Sequence, residues 1–280
     1  MFDERLLDKY LQRIGAERPK LADAEALRYL QERHVLSVPF ENLAFHLGEP
    51  VPHSVEAIKK VVYGHRGGSC FELNSAFALL LRAFGFQVNF LLGRIYRGKI
   101  LSKQLGHLAL WVETGGMPVS GDAPGAAVEA EENRQAWLVD VGQGNNSRTP
   151  LRFDLRTPQA DAHGEYLLSD ASEGDIDVSR DGAPLYRLEL RPRDLDFCAP
   201  LVWWYRTAPE SPFATRLMCV LPTEKGRVSL AGDLLMREEN DRQIKERLAS
   251  DEDLRKAYKT WFGIVLDRLP PLPERRLVQK

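Results

Sequence analysis

The stretch that most constrains this chain is RGGSCFELNSAFALLLRAF at 66–84, where two glycines run straight into a strong helix. Gly67 and Gly68 permit close backbone approach and a sharp turn. Ser69 and Glu72 fit the S-x-x-E capping box, with Ser69 as N-cap and Glu72 at the third helical position. Cys70 is then the first helical residue, beside unpaired N–H groups and the positive end of the helix dipole. That setting lowers a thiol pKa and favours the nucleophilic thiolate. His65 and Arg66 bring further positive charge close in sequence. Cys198 and Cys219 have no such context and read as small buried apolar residues.

A thiol nucleophile works with an imidazole, and the imidazole with a third group that orients it. His107 opens the strand-like run HLALWVE, on one face with Ala109 and Trp111. Asp140 lies in AWLVDVG, an otherwise apolar run where a carboxylate needs a partner. Pairing the two runs as antiparallel strands brings the residues together. One permitted register sets His107 opposite Asp140, Ala109 opposite Leu138 and Trp111 opposite Ala136. Alternation of side chains demands only that parity. Asp122, in SGDAPG, reads as a plain turn aspartate, and His65 lacks an acid to orient it. Glu41, Asn42, Glu72 and Asn74 read as scaffold that holds loops by hydrogen bonds.

Around these residues the chain changes character. Apolar spacing predicts helices from Phe2 to Ile14, over 22–35 and over 54–62, the last with Ser54 as N-cap; Pro39 breaks the chain between them. After Gly85 come β-rich runs: VNFLLGRIYR, HLALWVE, AWLVDVG, EYLL, LYRLEL, RLMCVLP and RVSLAG. A small, acidic, turn-rich segment at 114–135 reads as an exposed insertion. DRQIKERLASDEDLRKAYKTWFG reads as helix, and PPLPERR as a tail. The formal net charge of -2 supplies no basic field for nucleic acid. Three cysteines give neither a disulfide framework nor metal-ligand spacing, so no metal is expected. The start lacks a signal-peptide core, and runs such as FALLL are too short to span a bilayer. A reduced, cytoplasmic setting follows as the expectation.

These motifs resemble the arylamine N-acetyltransferase family. RGGSCFELN at 66–74 is similar to its RGG, aromatic, CFE signature, and VPFENL at 38–43 to its IPFENL segment. GHLAL at 106–110 and VDVGQG at 139–144 resemble its histidine and aspartate segments. HGEYLL, APESPF and GRVSL also match in order, so the resemblance covers nearly the whole chain. It implies an α+β fold with a cysteine-protease-like core. Its parts would be an N-terminal helical bundle over 1–87, a central antiparallel β-barrel over 88–197 and a C-terminal α/β lid over 198–280. It implies a Cys-His-Asp triad of Cys70, His107 and Asp140. Acetyl would pass from acetyl-CoA to the cysteine and then, in a ping-pong cycle, to an arylamine, hydrazine or N-hydroxyarylamine. CoA contacts would come from the loop before the histidine, with Lys103 and Gly106, and from 209–213, with Ser211; Glu210 there would repel phosphate.

Three features depart from the family pattern. Ser69 stands where an aromatic residue is usual, Gln143 replaces the phenylalanine of VDVGFG, and 114–135 separates the histidine and aspartate strands. A glutamine offers no apolar face to an arylamine. Three other readings stay open, and Gln143 and the insertion are compatible with the first. One is an amide synthase of the same fold with a carrier-bound or larger thioester; another is a transglutaminase- or papain-like hydrolase. The third is a ligand-binding relative without activity.

Overall fold

The computed structural model describes residues 3–115, 117–118, 134–240 and 242–272. Phe2, Asp122, most of the 114–135 insertion and the end of the tail lie outside them. The chain starts as helices α1 (Glu4–Ile14), α2 (Ala24–Ser37), α3 (Leu43–Leu47), α4 (Ser54–Val62) and α5 (Cys70–Ala83). Asp3 and Asp23 cap the first two through their side chains. Ser54 is the first residue of α4 rather than its cap, which is His53. Two short strands, β1 (Leu21–Ala22) and β2 (Phe40–Glu41), interrupt the helices.

The middle is β-structure: β3 (Gln87–Arg97), β4 (Ile100–Leu101), β5 (His107–Thr114), β6 (Met117–Pro118), β7 (Gln135–Val139) and β8 (Leu151–Arg152). It continues with β9 (Gln159–Asp161), β10 (Gly164–Asp170), β11 (Ile176–Arg180) and β12 (Ala183–Leu188). All but β6 form one antiparallel sheet in the order β8-β7-β5-β3-β12-β11-β10-β9, with β4 on β3. The sheet is a nearly closed barrel. The Gln159 side chain on β9 bonds both backbone groups of Arg152 on β8, at 2.7 and 3.0 Å, and so ties the two edges. Strand β6, at the start of the insertion, pairs with β1 of the helical part.

The central strands are buried on both faces. Leu108, Leu110 and Val112 pack on the helices, while Ala109 and Leu138 join Leu168, Val178 and Tyr186 inside the barrel. A strand covered on both sides needs apolar residues throughout, which is why HLALWVE alternates only in part.

Then follow α6 (Ala199–Thr207), α7 (Pro212–Thr215), β13 (Met218–Thr223), β14 (Gly226–Ala231), β15 (Leu234–Glu239), β16 (Arg242–Arg247) and α8 (Asp251–Phe262). The architecture is α+β: helical bundle, antiparallel barrel, C-terminal α/β part. The run expected as one long helix is divided. RQIKER is the exposed edge strand β16, and the helix starts only after its N-cap Ser250. Charges on both faces suit an edge strand, since they discourage further pairing. Strand β2 adds itself to β13 and completes a sheet with β14, β15 and β16.

Candidate active site

Cys70 heads α5 with Ser69 as its N-cap, and the Glu72 carboxylate accepts from Ser69 N (2.8 Å) and Ser69 Oγ (3.0 Å). Neither Gly67 nor Gly68 has positive φ, so no left-handed turn requires them. Close approach does. A Cβ at Gly67 would lie 1.8 Å from the Pro39 carbonyl oxygen, and one at Gly68 2.7 Å from Glu72 Cβ. The gain is a bridge in which Glu41 N donates to Gly68 O at 3.0 Å.

Arg66 does not serve the thiol. Its guanidinium bonds Glu41 (2.9 Å) and Glu49 (3.1 Å), while Lys60 bonds Glu72 at 2.6 Å and lies 3.5 Å from Glu41. His65 is exposed. The clamp of Glu41, Lys60, Arg66 and Glu72 fixes the start of α5, with each buried carboxylate matched by a cation, as burial demands. Glu41 and Glu72 are scaffold here, as their motifs suggested. Lys60 was not anticipated, because helical periodicity marks it as a surface position.

His107 is the first residue of β5, and Asp140 directly follows β7. The observed register pairs Leu110 with Val139 and Trp111 with Leu138, two residues away from the expected alignment and of the same parity. His107 and Asp140 are thus diagonal rather than opposite, a separation the long imidazole spans. His107 Nε2 lies 2.6 Å from Asp140 Oδ2. An ionised carboxylate only accepts, so the nitrogen donates. Asp140 Oδ1 accepts from Asn74 Nδ2 and from Gly142 N, both at 2.9 Å. Asn74 also donates to Leu108 O (2.6 Å) and accepts from Val141 N (3.0 Å), so this scaffold residue on α5 binds β5 and the segment that follows β7.

All three candidate residues are buried, Cys70 at 3 % exposure. Gly142 presses against the nucleophile, where a Cβ would lie 2.6 Å from Cys70 Cα. Cys70 Sγ faces Gly106 O at 3.9 Å. Among the described residues the Nδ1 atom of His107 has no hydrogen-bond partner of ordinary geometry, yet the Cys70 sulfur is close enough to act on the ring. Burial alone would lower the imidazole pKa; the Asp140 carboxylate, and then Cys70, outweigh it and raise it to about 10. Tyr186, 4.6 Å from the His107 ring between centroids, interacts with Asp140 as well. It escaped the sequence reading because LYRLEL shows only a strand.

The three residues expected to meet CoA are dispersed in role. Lys103 is exposed. Gly106 is buried, its carbonyl between Cys70 and the Tyr205 hydroxyl. Ser211 is fully buried; its Oγ donates to Tyr205 O at 2.7 Å and accepts from Phe213 N at 3.2 Å as the cap of α7. A mainly apolar cleft of about 280 Å³ opens beside Phe71, bordered by Val51, Pro52, Cys198 and Val202. A larger cavity of about 720 Å³ starts at Gly144 and is lined by Arg180, Lys225 and Arg242 among others. Among the described residues no helix is long and apolar enough to cross a membrane, and no cluster of side chains suits a metal ion.

Bundle, barrel and α/β part thus converge on a buried cysteine, histidine and aspartate, in the class of the N-acetyltransferases. A family profile of that description, N-acetyltransferase, matches residues 23–122 and 125–269. The arylamine N-acetyltransferase of Mycolicibacterium smegmatis is 31% identical over 277 residues, covering 94% of this chain and 93% of the relative. The solved M. smegmatis arylamine N-acetyltransferase superposes with a TM-score of 0.79 at 30% identity, over 94% of this chain and 93% of that one. The Mycobacterium marinum enzyme, solved in complex with CoA, superposes with a TM-score of 0.77 at 27% identity, over 92% of each chain. The chain belongs to the arylamine N-acetyltransferase family and is an acetyl-transferring enzyme.

Proposed function

We propose that acetyl passes from acetyl-CoA to Cys70 as a thioester, and from there to the nitrogen of an arylamine, hydrazine or N-hydroxyarylamine. The observation that carries this reading is the 2.6 Å bond from His107 to Asp140, buried beside a cysteine at a helix N-terminus. His107 takes the Cys70 proton, and Asp140 holds the ring in the required tautomer. The sulfur attacks the thioester carbonyl, a new C–S bond forms, and CoA leaves as a thiol with the proton from His107. The amine then attacks the acyl-cysteine, His107 takes its proton, and the C–S bond breaks to restore Cys70. Backbone N–H groups at the start of α5 suit the oxyanion.

On this reading 1–87 carries the nucleophile, 88–197 the base and its carboxylate, and 198–280 the cover. CoA approaches along the loop before His107, where exposed Lys103 meets a phosphate and Gly106 lines the route to sulfur. Ser211 acts from behind by holding the backbone of Tyr205. The apolar cleft beside Phe71 suits an aromatic ring. Three free cysteines suit a reduced, cytoplasmic compartment.

Intact mass of the protein incubated with acetyl-CoA alone tests the reading. One added acetyl is expected on the native chain and none on Cys70→Ala, with loss of the adduct when an arylamine is supplied. A native chain that stays unmodified while Cys70 alkylates readily would reject acetyl-CoA as the donor.

A further inference from the structure

Tyr205 lies near the nucleophile, and both reach the Gly106 carbonyl. It sits on α6, its ring 4.6 Å from that of Phe213 in a stacked arrangement and 6.0 Å from that of Phe71. Its hydroxyl donates to Gly106 O at 3.0 Å. A side chain at position 106 would displace this hydroxyl, because a Cβ there would lie 2.0 Å from the Tyr205 hydroxyl oxygen. The same carbonyl faces the Cys70 sulfur at 3.9 Å. One acceptor therefore serves two donors, a phenol at 3.0 Å and a thiol in a long sulfur hydrogen bond at 3.9 Å. Phenol O–H is the stronger donor of the two.

We propose that Tyr205 is a positioning residue for the nucleophile: by donating to the Gly106 carbonyl it competes with the weaker Cys70 S–H for that oxygen and draws negative charge away from it, and so shifts the thiol proton toward His107. A bare carbonyl oxygen beside the sulfur favours the protonated thiol, since it rewards S–H and repels S⁻. With the phenol bound, that oxygen presents less negative charge to the sulfur.

The groups around Cys70 allow such a device to be read cleanly. His107 faces it from β5, with Asp140 behind; Tyr205 faces it from α6, and Cys198 from the turn before α6. Burial, then the Cys70 charge, pushes the Cys198 thiol up to about 12 and the Tyr205 phenol above its ordinary value, with Arg97 opposing at Tyr205. Both stay protonated near neutral pH, so proton exchange there is confined to Cys70 and His107.

The inference rests on Cys70 as the nucleophile, and its test needs neither acetyl-CoA nor an amine. Tyr205→Phe keeps the ring stack and removes only the hydroxyl. The rate of Cys70 alkylation by iodoacetamide, followed by mass from about pH 4 to about pH 9, reports the thiolate fraction. The midpoint is expected to rise by about half to one pH unit, with roughly threefold to tenfold slower alkylation below it and recovery above it. Incorporation of 3-fluorotyrosine at position 205, a stronger donor in nearly the same volume, is expected to lower the midpoint and covers the case in which Tyr205→Phe folds poorly. A Phe213→Leu control loosens the stack without touching the carbonyl and is expected to leave the midpoint in place. Midpoints that stay put in both Tyr205 replacements would reduce Tyr205 to packing. A Cys70 that alkylates with the expected shift but never acetylates would leave this inference standing and overturn the donor assignment instead.

Discussion

Asn74 decides which oxygen of Asp140 meets the imidazole. Its amide and Gly142 N both donate to Oδ1, so Oδ1 must be an acceptor and Oδ2 is left for His107. This makes Asp140→Asn informative. The asparagine oxygen is held at the Oδ1 position, and its NH₂ is turned toward His107 Nε2. The imidazole must then accept at Nε2 and carry its proton on Nδ1, the nitrogen on the side of Cys70, where it cannot receive the thiol proton. With the fold retained, acetyl transfer is expected to fall by about a thousandfold or more. Steady-state kinetics beside a circular dichroism spectrum checks this; a folded variant within tenfold of native activity would show that Asp140 does not set the tautomer.

At the scale of elements, the loop 66–69 shows how glycine can be required without any special turn. Gly67→Ala places a methyl against the Pro39 carbonyl, backbone against which no rotamer change gives relief. A loss of about 3 kcal/mol in urea unfolding is expected, and a loss under about 0.5 kcal/mol would mean that 39–41 can retreat. The nucleophile's seat was legible in the residues because RGGSCFE combines a close approach, a cap and a helix start within a few positions. The parity linking His107 and Asp140 was equally legible, since alternation is a local property of strands. The register was not, because Asp140 lies just beyond β7 and turn geometry, not alternation, sets how far the strands slide. Strand β16 was missed for a different reason: RQIKER has good helix formers, and only its pairing with β15 decides otherwise. Tyr205 also stayed hidden, because WWY within an apolar run gives no hint that one phenol reaches residue 106, far away in the chain.

The molecule as a whole is fastened across its parts by strand β2, whose Glu41 and Phe40 pair with Cys219 and Val220, and by Asn42, which bonds Arg216 O (2.6 Å) and Met218 N (2.9 Å). Global stability therefore registers events in the helical core, and His34 is one. It is buried between Tyr10 and Phe77, with ring centroids 5.8 and 5.1 Å away, and neither ring nitrogen has a hydrogen-bond partner among the described residues. Burial, reinforced by the Arg13 charge, pushes its pKa down from 6.5 to about 3. Above pH 6.5 both folded and unfolded chains hold this ring neutral, and it contributes no slope. As pH falls below 6.5 the unfolded chain binds a proton that the folded chain refuses, so stability drops until about pH 3. Between about pH 6.5 and about pH 5 the share from this one residue is about 2 kcal/mol. His34→Phe is accordingly expected to flatten the acid side of the profile by that amount and to leave the change between about pH 7 and about pH 8 as it was. Urea midpoints across this range measure it, and parallel profiles for the native chain and the variant would mean that His34 takes up its proton in the folded core.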